Sequence, residues 1–381
     1  MNFPGSRALA AGHARLSDQA QRPWASALLL CVFFWIVAAA GYSGGIQKHG
    51  MPDGARGGGI EVMLDASAKK PYVYRQLAPL IANGAERVLP AAFKDAAAAA
   101  AAPEKTYVRV TSVLKPEFRF RYICVYYLSF LSLFGSLFVL RKILQAYGLS
   151  EWICMVAPAM FVVAFPYVQS GGGYYYDQIE FFFMASAYLA AMRGRIVLLL
   201  GISLLATLNK ESFFFFVPAL FPLLNQRVGR NRALAASLGA LFVAGLVNAA
   251  LKFYFFNSAG VAAEFKLFRN ILNYLNPLTY LQFENTYGIV APAGLSVITL
   301  LAVAIVVLRG WRTCAGEVRR HILIATCLNL PLFLAFCATG ELRNLSLLFV
   351  GFVVLGGHAL QQWFAAAHRT HGAGADARLP L

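Results

Sequence analysis

Apolar stretches long enough to cross a bilayer recur along nearly the whole chain, and arginine or lysine residues close most of them at alternate ends. That pattern leaves few folds open. In hydrocarbon every backbone N–H and C=O must find its partner within the protein, so a spanning chain forms either helices or a closed barrel. The stretches are mostly single apolar blocks of about 20 residues, not alternating segments of about ten, which selects helices. A composition of 59% hydrophobic and 13% charged residues agrees, and excludes an ordinary soluble domain. The formal charge of +16 could suit nucleic acid. About half of the basic residues, however, fall in short loops and tails on one side of the threaded chain, where they act as topology determinants. Nucleic acid is therefore not an expected partner; membrane lipids are.

Threading by the positive-inside rule starts from Arg7, Arg15 and Arg22, which put the N-terminus in the cytoplasm. Spans are expected at 24–43, 122–140, 152–168 and 179–192, with basic exits at Arg141-Lys142 and at Arg193 and Arg195 on the inside. The stretch 196–224 has 29 residues, about 43 Å as one helix, too long for a single ordinary span. Asn209-Lys210-Glu211 interrupts it, and Arg227, Arg230 and Arg232 follow. A hairpin of two short helices with the triplet at its tip returns those arginines to the inside, whereas one long span leaves them outside. The hairpin is the expectation. Further spans at 233–253, 289–308, 322–338 and 345–364 complete an all-α, polytopic transmembrane helical bundle of about ten crossings. Its parts are a cytoplasmic tail at 1–23, a membrane domain at 24–364 and a cytoplasmic tail at 365–381. The extracytoplasmic first loop, 44–121, carries 12 basic residues. Long loops translocate largely regardless of such charge.

Within that loop, Leu80, Ile81, Val88 and Leu89 share one face of a helix beginning at Leu77, and this predicts an amphipathic helix at the outer interface. The Ala96–Ala102 run is expected to be a helical spacer. The six cysteines show neither a disulfide framework nor metal-ligand spacing.

The threading brings every polar cluster to the non-cytoplasmic face, and this one-sidedness is the functional clue. Arg75 is either a phosphate contact or a snorkelling arginine. Asp65 and Glu61, four apart, would stack on one helical face or are solvated loop carboxylates. Asp177 opens a span, where helix capping is sufficient to account for it. Glu180 leads into Phe181-Phe182-Phe183 at membrane depth, where a charge is costly unless it faces a cavity or partner. Lys210 and Glu211, followed by four phenylalanines from Phe213, carry the same cost, and the two could compensate each other. Glu341 and Arg343 in Gly340-Glu341-Leu342-Arg343-Asn344 are either part of this set or a surface ion pair.

Together, the Pro71-Tyr-x-Tyr-Arg75-x-Leu-x-Pro79 segment, Tyr176-Asp177, Asn209-Lys210-Glu211 and Glu341-x-Arg343 resemble bacterial polytopic GT-C-type glycosyltransferases. The chain departs from that pattern in lacking an Asp-Asp, Asp-Glu or Asp-x-Asp signature just after the first span. Nor is a large soluble domain expected after the last span. The resemblance implies transfer of a sugar from a polyprenyl-phosphate donor to a glycan or lipid acceptor of the cell envelope, at the outer face of the plasma membrane. It assigns the general base to Asp65, with Asp177 or Glu180 as the rivals. Arg75, Lys210 and Arg343 become phosphate contacts, while Glu211 and Glu341 position those cations or bind sugar hydroxyls. No cofactor beyond the lipid donor is required, although a divalent metal is compatible. A transporter or flippase is the competing class, kept open by the break in 196–224. A polysaccharide polymerase or ligase is a second alternative.

Overall fold

The structure, a computed structural model, describes residues 23–51, 57–101, 115–286 and 289–376. The N-terminal tail with Arg7, Arg15 and Arg22, parts of the first loop and the last residues of the C-terminal tail lie outside the described residues.

Apart from one two-stranded antiparallel hairpin, the described chain is helical, as expected for a chain that must satisfy its backbone in lipid. Helix α1 is Pro23–His49; α2 (Ile60–Leu64), α3 (Leu77–Val88) and α4 (Ala91–Ala101) lie in the first loop. Then come α5 (Pro116–Ala146), α6 (Glu151–Val168), α7 (Tyr175–Met192), α8 (Ile196–Asn209) and α9 (Phe213–Val228). Prolines 218 and 222 tighten α9 into a 3-10 stretch at Val217–Leu220. Helix α10 is Arg230–Tyr254, α11 is Leu267–Leu275, β1 is Phe283–Thr286 and β2 is Ile289–Pro292. The chain ends with α12 (Val297–Thr313), α13 (Gly316–Phe336), a 3-10 stretch at Leu342–Leu348 and α14 (Phe349–Asp376). Among the described residues six helices are long and apolar enough to cross a membrane, which makes this a multi-pass membrane protein. Helices α8 and α9 are shorter apolar helices.

The main core joins α1, α5, α6, α7, α8, α9 and α14. Where α12 meets α14, Gly310 lies so close to the Leu355 carbonyl that a Cβ there would collide with it, the close helix approach that small residues permit in membranes. A second, smaller core lies beneath the first loop. Ile60, Met63 and Leu64 of α2 pack with Val73, Leu77 and Ala78 against Tyr122 of α5 and against Tyr175, Tyr176 and Ile179 of α7. This core seats the Tyr72–Arg75 segment on the start of α7.

The stretch 196–224 does turn back on itself. Helix α8 ends at Asn209, Lys210 is extended (φ −160°, ψ 134°), and α9 begins at Phe213. The far ends of the two arms meet, with Gly194 against Arg227 and Val228.

Several boundaries differ from the sequence expectation. Helices α1 and α5 reach into both ends of the 44–121 loop, and α14 continues through residues expected to form the C-terminal tail. The span expected from Ile289 is corrected: Ile289–Pro292 is a strand paired with Phe283–Thr286, and helix resumes only at Val297. Pro292 and the left-handed Gly294 (φ 55°) separate strand from helix, and Ser296 caps the new helix by accepting from Thr299 N at 3.3 Å. The connection between the expected spans 233–253 and 289–308 contains α11, clamped to the end of α13 where Asn270 Nδ2 donates to the Leu334 and Cys337 carbonyls, each at 2.9 Å. The stacked acidic face at Glu61 and Asp65 does not form. Helix α2 ends at Leu64, Glu61 pairs with Lys115, and Asp65 pairs with Arg121.

Candidate functional site

Two helix ends carry the centre of the site. Asp177 lies in the first turn of α7, where the helix dipole favours an anion, and Lys210 follows the last residue of α8, where it favours a cation. Asp177 Oδ2 accepts from the Tyr174 N–H at 2.9 Å, so this residue does cap its helix. Capping is only part of its role, because Lys210 Nζ lies 3.3 Å from Asp177 Oδ1 and Arg343 Nη1 lies 3.5 Å from Asp177 Oδ2.

Glu180, one turn deeper, receives Lys210 Nζ at 2.7 Å and Ser346 Oγ at 2.9 Å, and the Ser212 hydroxyl donates to it as well. Its charge at this depth is therefore compensated from two chain segments, the α8–α9 break and the turn before α14. Asn209 Nδ2 donates to the Tyr176 carbonyl at 3.0 Å and ties the hairpin tip to α7. The first-loop residue Gln76 donates its N–H to the Leu208 carbonyl at 2.8 Å, satisfying an orphan acceptor at the α8 terminus.

Arg75 arrives from the first loop. Its guanidinium donates to the Tyr176 hydroxyl and to Glu211 Oε1, the latter at 3.2 Å. Arg343 donates to Glu341 Oε1 at 2.9 Å. The Glu341 carboxylate also accepts from Ala338 N at 3.2 Å and from Asn344 Nδ2 at 2.9 Å. The turn carrying Glu341 sits close against left-handed Gly171 (φ 74°), whose Cβ, if present, would lie 3.2 Å from Glu341 N. Arg343 is buried, so this is not a simple surface pair.

Four planar groups stack through the centre. The Arg75 guanidinium lies 4.4 Å from the Tyr176 ring centroid, the Tyr176 and Tyr174 rings are stacked 5.0 Å apart, and Arg343 lies 4.7 Å from the Tyr174 ring. Tyr72 closes the outer edge, its hydroxyl accepting from Tyr174 at 3.2 Å. Guanidinium over an aromatic face is favourable and fixes the planes of both arginines. Burial alone would favour neutral Arg75, but Glu211 and Tyr176 more than reverse this and its pKa lies above the ordinary arginine value. Burial alone would likewise raise the Glu211 carboxyl, but Arg75, with Lys210 behind it, holds its pKa below the usual carboxylate value.

Seven of the eight residues given site roles from the sequence therefore meet: Arg75, Asp177, Glu180, Lys210, Glu211, Glu341 and Arg343. Asp65 does not join them. It borders an open cleft of about 530 Å³ lined also by Leu64, Ala66, Asn83, Glu86, Arg87 and Arg121, with Arg121 Nη1 at 2.9 Å. Among the described residues no group of three or more His, Cys, Asp and Glu side chains is placed to hold a metal ion. Tyr174 and Tyr176 had a visible signal in the Tyr174-Tyr175-Tyr176 run, but alternate members of it could not be assigned to the arginines without the fold. Ser212 and Ser346 had none.

Comparison with protein-family models, with curated proteins and with solved structures found no match.

Proposed function

We propose that this protein is a membrane glycosyltransferase of GT-C type, moving a sugar from a polyprenyl-phosphate donor to a cell-envelope acceptor at the outer face of a bacterial plasma membrane. The observation that carries the reading is the convergence of the first loop, α7, the α8–α9 break and the turn before α14 on one buried cluster of three cations and four carboxylates. Buried charge is costly in a membrane protein and is kept where it does chemistry or transport. The other end of the bundle, at the α5–α6, α7–α8, α9–α10 and α12–α13 connections, carries Arg141, Lys142, Arg193, Arg195, Arg227, Arg230, Arg232, Arg309, Arg312, Arg319 and Arg320. The positive-inside rule assigns that end to the cytoplasm and the cluster to the exterior. On this reading α7, α8, α9 and α12 cross the membrane as well as the six long helices, ten crossings in all. The exposed Leu80, Ile81 and Val88 of α3 suit an interfacial helix on the cluster side.

In this reading Lys210, Arg343 and Arg75 receive the donor phosphate. The acceptor oxygen bonds to the anomeric carbon, the bond from that carbon to phosphate oxygen breaks with its electron pair on the phosphate, and a carboxylate takes the acceptor proton. The base is Asp177 and not Asp65. A base must stand beside the phosphate contacts, and Asp65 is turned to Arg121 outside the cluster. Asp177 holds its two cations only at 3.3 and 3.5 Å, and both are cations that a phosphate would draw away, freeing the carboxylate. Glu180, with shorter contacts to Lys210 and two hydroxyls, positions Lys210.

The test is transfer of radiolabelled sugar from a panel of polyprenyl-phosphate sugars by purified protein in nanodiscs. Lipid- or glycan-linked product that is lost in Asp177→Asn supports the reading. Absence of product with every donor, together with donor-independent movement of a lipid-linked or anionic substrate across the bilayer, favours the transporter instead. The helical break at Lys210 is the feature that supports that second reading.

A further inference from the structure

The four carboxylates of the cluster are not held alike. Asp177 and Glu180 expose 2% and 3% of their side chains, whereas Glu211 exposes 32%. Glu341 is anchored by Arg343, Ala338 N and Asn344. Glu211 touches Arg75 through one oxygen at 3.2 Å, and its Oε2 has no hydrogen-bond partner among the described residues.

Arg75 is the reverse. Its side chain is 9% exposed, it is held from behind by the Tyr176 ring and hydroxyl, and its Nε has no hydrogen-bond partner among the described residues. A guanidinium fixed in one plane presents an edge suited to a bidentate oxyanion. Glu211, the loosest and most exposed acid of the cluster, covers this well-fixed cation. With three cations and four carboxylates the cluster has a formal charge of −1, which repels an incoming anion. Without Glu211 the charge is zero and the Arg75 edge is open.

We propose that Glu211 is a displaceable counter-anion. It neutralises buried Arg75 in the empty site and swings outward when a phosphoryl group takes its place. The inference rests on the cluster being the phosphate end of an active site, and it changes the role of Glu211 from positioning or sugar contact to gatekeeping by charge. An empty site with Arg75 uncovered would leave a buried charge unpaired, which is costly. A permanently bound carboxylate would exclude substrate. A loosely held one avoids both. No bond is made or broken.

The experiment measures binding of inorganic phosphate and of farnesyl phosphate to the full chain in nanodiscs, for wild type, Glu211→Gln, Glu211→Asp and Glu86→Gln, whose carboxylate pairs with Lys94 outside the cluster. Monodispersity and melting temperature report folding. Glu211→Gln is expected to bind the phosphoryl probe about tenfold more tightly, since a competing charge at close range is gone, and Glu86→Gln to change affinity less than about threefold. Glu211→Asp, which withdraws the carboxylate by one methylene, should fall between wild type and Glu211→Gln and keeps the test alive if the amide fails to fold. Tightening for farnesyl phosphate alone identifies a lipid-linked phosphate as the displacing group; tightening for both identifies the phosphoryl group itself. Unchanged or weaker binding in Glu211→Gln and Glu211→Asp, or equal tightening in Glu86→Gln, overturns the displacement while leaving phosphate binding intact. Failure of every folded variant, wild type included, to bind either probe overturns the phosphate reading and this inference together.

Discussion

The ammonium of Lys210 lies 2.7 Å from Glu180 Oε2, and neither side chain exposes more than 4% of its surface. Removing one member of such a pair strands a charge in a low-dielectric interior, at about 3–5 kcal/mol. Lys210→Ala, which strands Glu180 and also deprives Asp177 of a cation, is expected to lower thermal stability by that order. Unfolding of detergent-solubilised protein measures it, and a melting temperature equal to wild type would show that the pair is not buried in solution.

The four-layer stack separates a hydrogen bond from a ring. Tyr176→Phe keeps the face under Arg75 and loses only the hydroxyl that Arg75 donates to, whereas Tyr176→Ala loses both. A cation–π contact is worth about 0.5–2 kcal/mol, so Tyr176→Ala is expected to weaken phosphate-dependent activity about 2- to 30-fold beyond Tyr176→Phe. Equal activities in the two variants would show that the ring does not hold Arg75.

Asp177 and Asp65 are separable by rate. Loss of a general base costs about 10²–10⁴-fold, so Asp177→Asn is expected to fall in that range. Asp65→Asn, which touches only the cleft beside Arg121, should fall less than about tenfold under the same threshold. Single-turnover transfer rates decide between them, and the opposite order returns the base to Asp65.

The Glu211 carboxyl is held below its ordinary value of 4.5, so its proton affinity is lower in the folded than in the unfolded chain. Its stabilising contribution is complete above that value and disappears as the pH falls through the folded-state pKa. The melting-temperature difference between wild type and Glu211→Gln is therefore expected to favour wild type at neutral pH and to shrink below about pH 4.5. A difference that grows on acidification would reverse the sign of the interaction.

Phe268, Ile271, Leu272 and Leu275 form an exposed stripe on α11, whose other face is pinned to α13 through Asn270. This is the pattern of a helix lying in the membrane interface. Trp substituted at Phe268 is expected to be quenched by brominated lipid and shielded from iodide; the reverse would place this face in water.

The architecture was legible where chemistry is redundant along the chain. Apolar length and the basic exits marked most of the spans. Asn209-Lys210-Glu211 marked the α8–α9 break, because charge is too costly in the middle of a lipid-embedded helix to stand there uncompensated. The start of α12 was not legible, since Ile289, Val290 and Ala291 are as apolar as the helix that follows and only Pro292 and Gly294 separate them. Within the site, charged residues at span ends were visible one by one. Their pairing depends on how α7, the hairpin tip and the turn before α14 meet. Asp65 illustrates the limit. It lies ten residues before Arg75 in the chain, yet the small core around Ile60, Met63 and Leu64 turns it toward Arg121.

A single face for the cluster is tested most directly by labelling intact cells with a membrane-impermeant maleimide. In a cysteine-free background, single cysteines would replace Ser212 and Asn344 beside the cluster and Arg195 at the opposite end. Ser212→Cys and Asn344→Cys are expected to react from outside, and Arg195→Cys only after permeabilisation. Reaction of Arg195→Cys in intact cells, with the other two reached only from the cytoplasm, would contradict an outward-facing site.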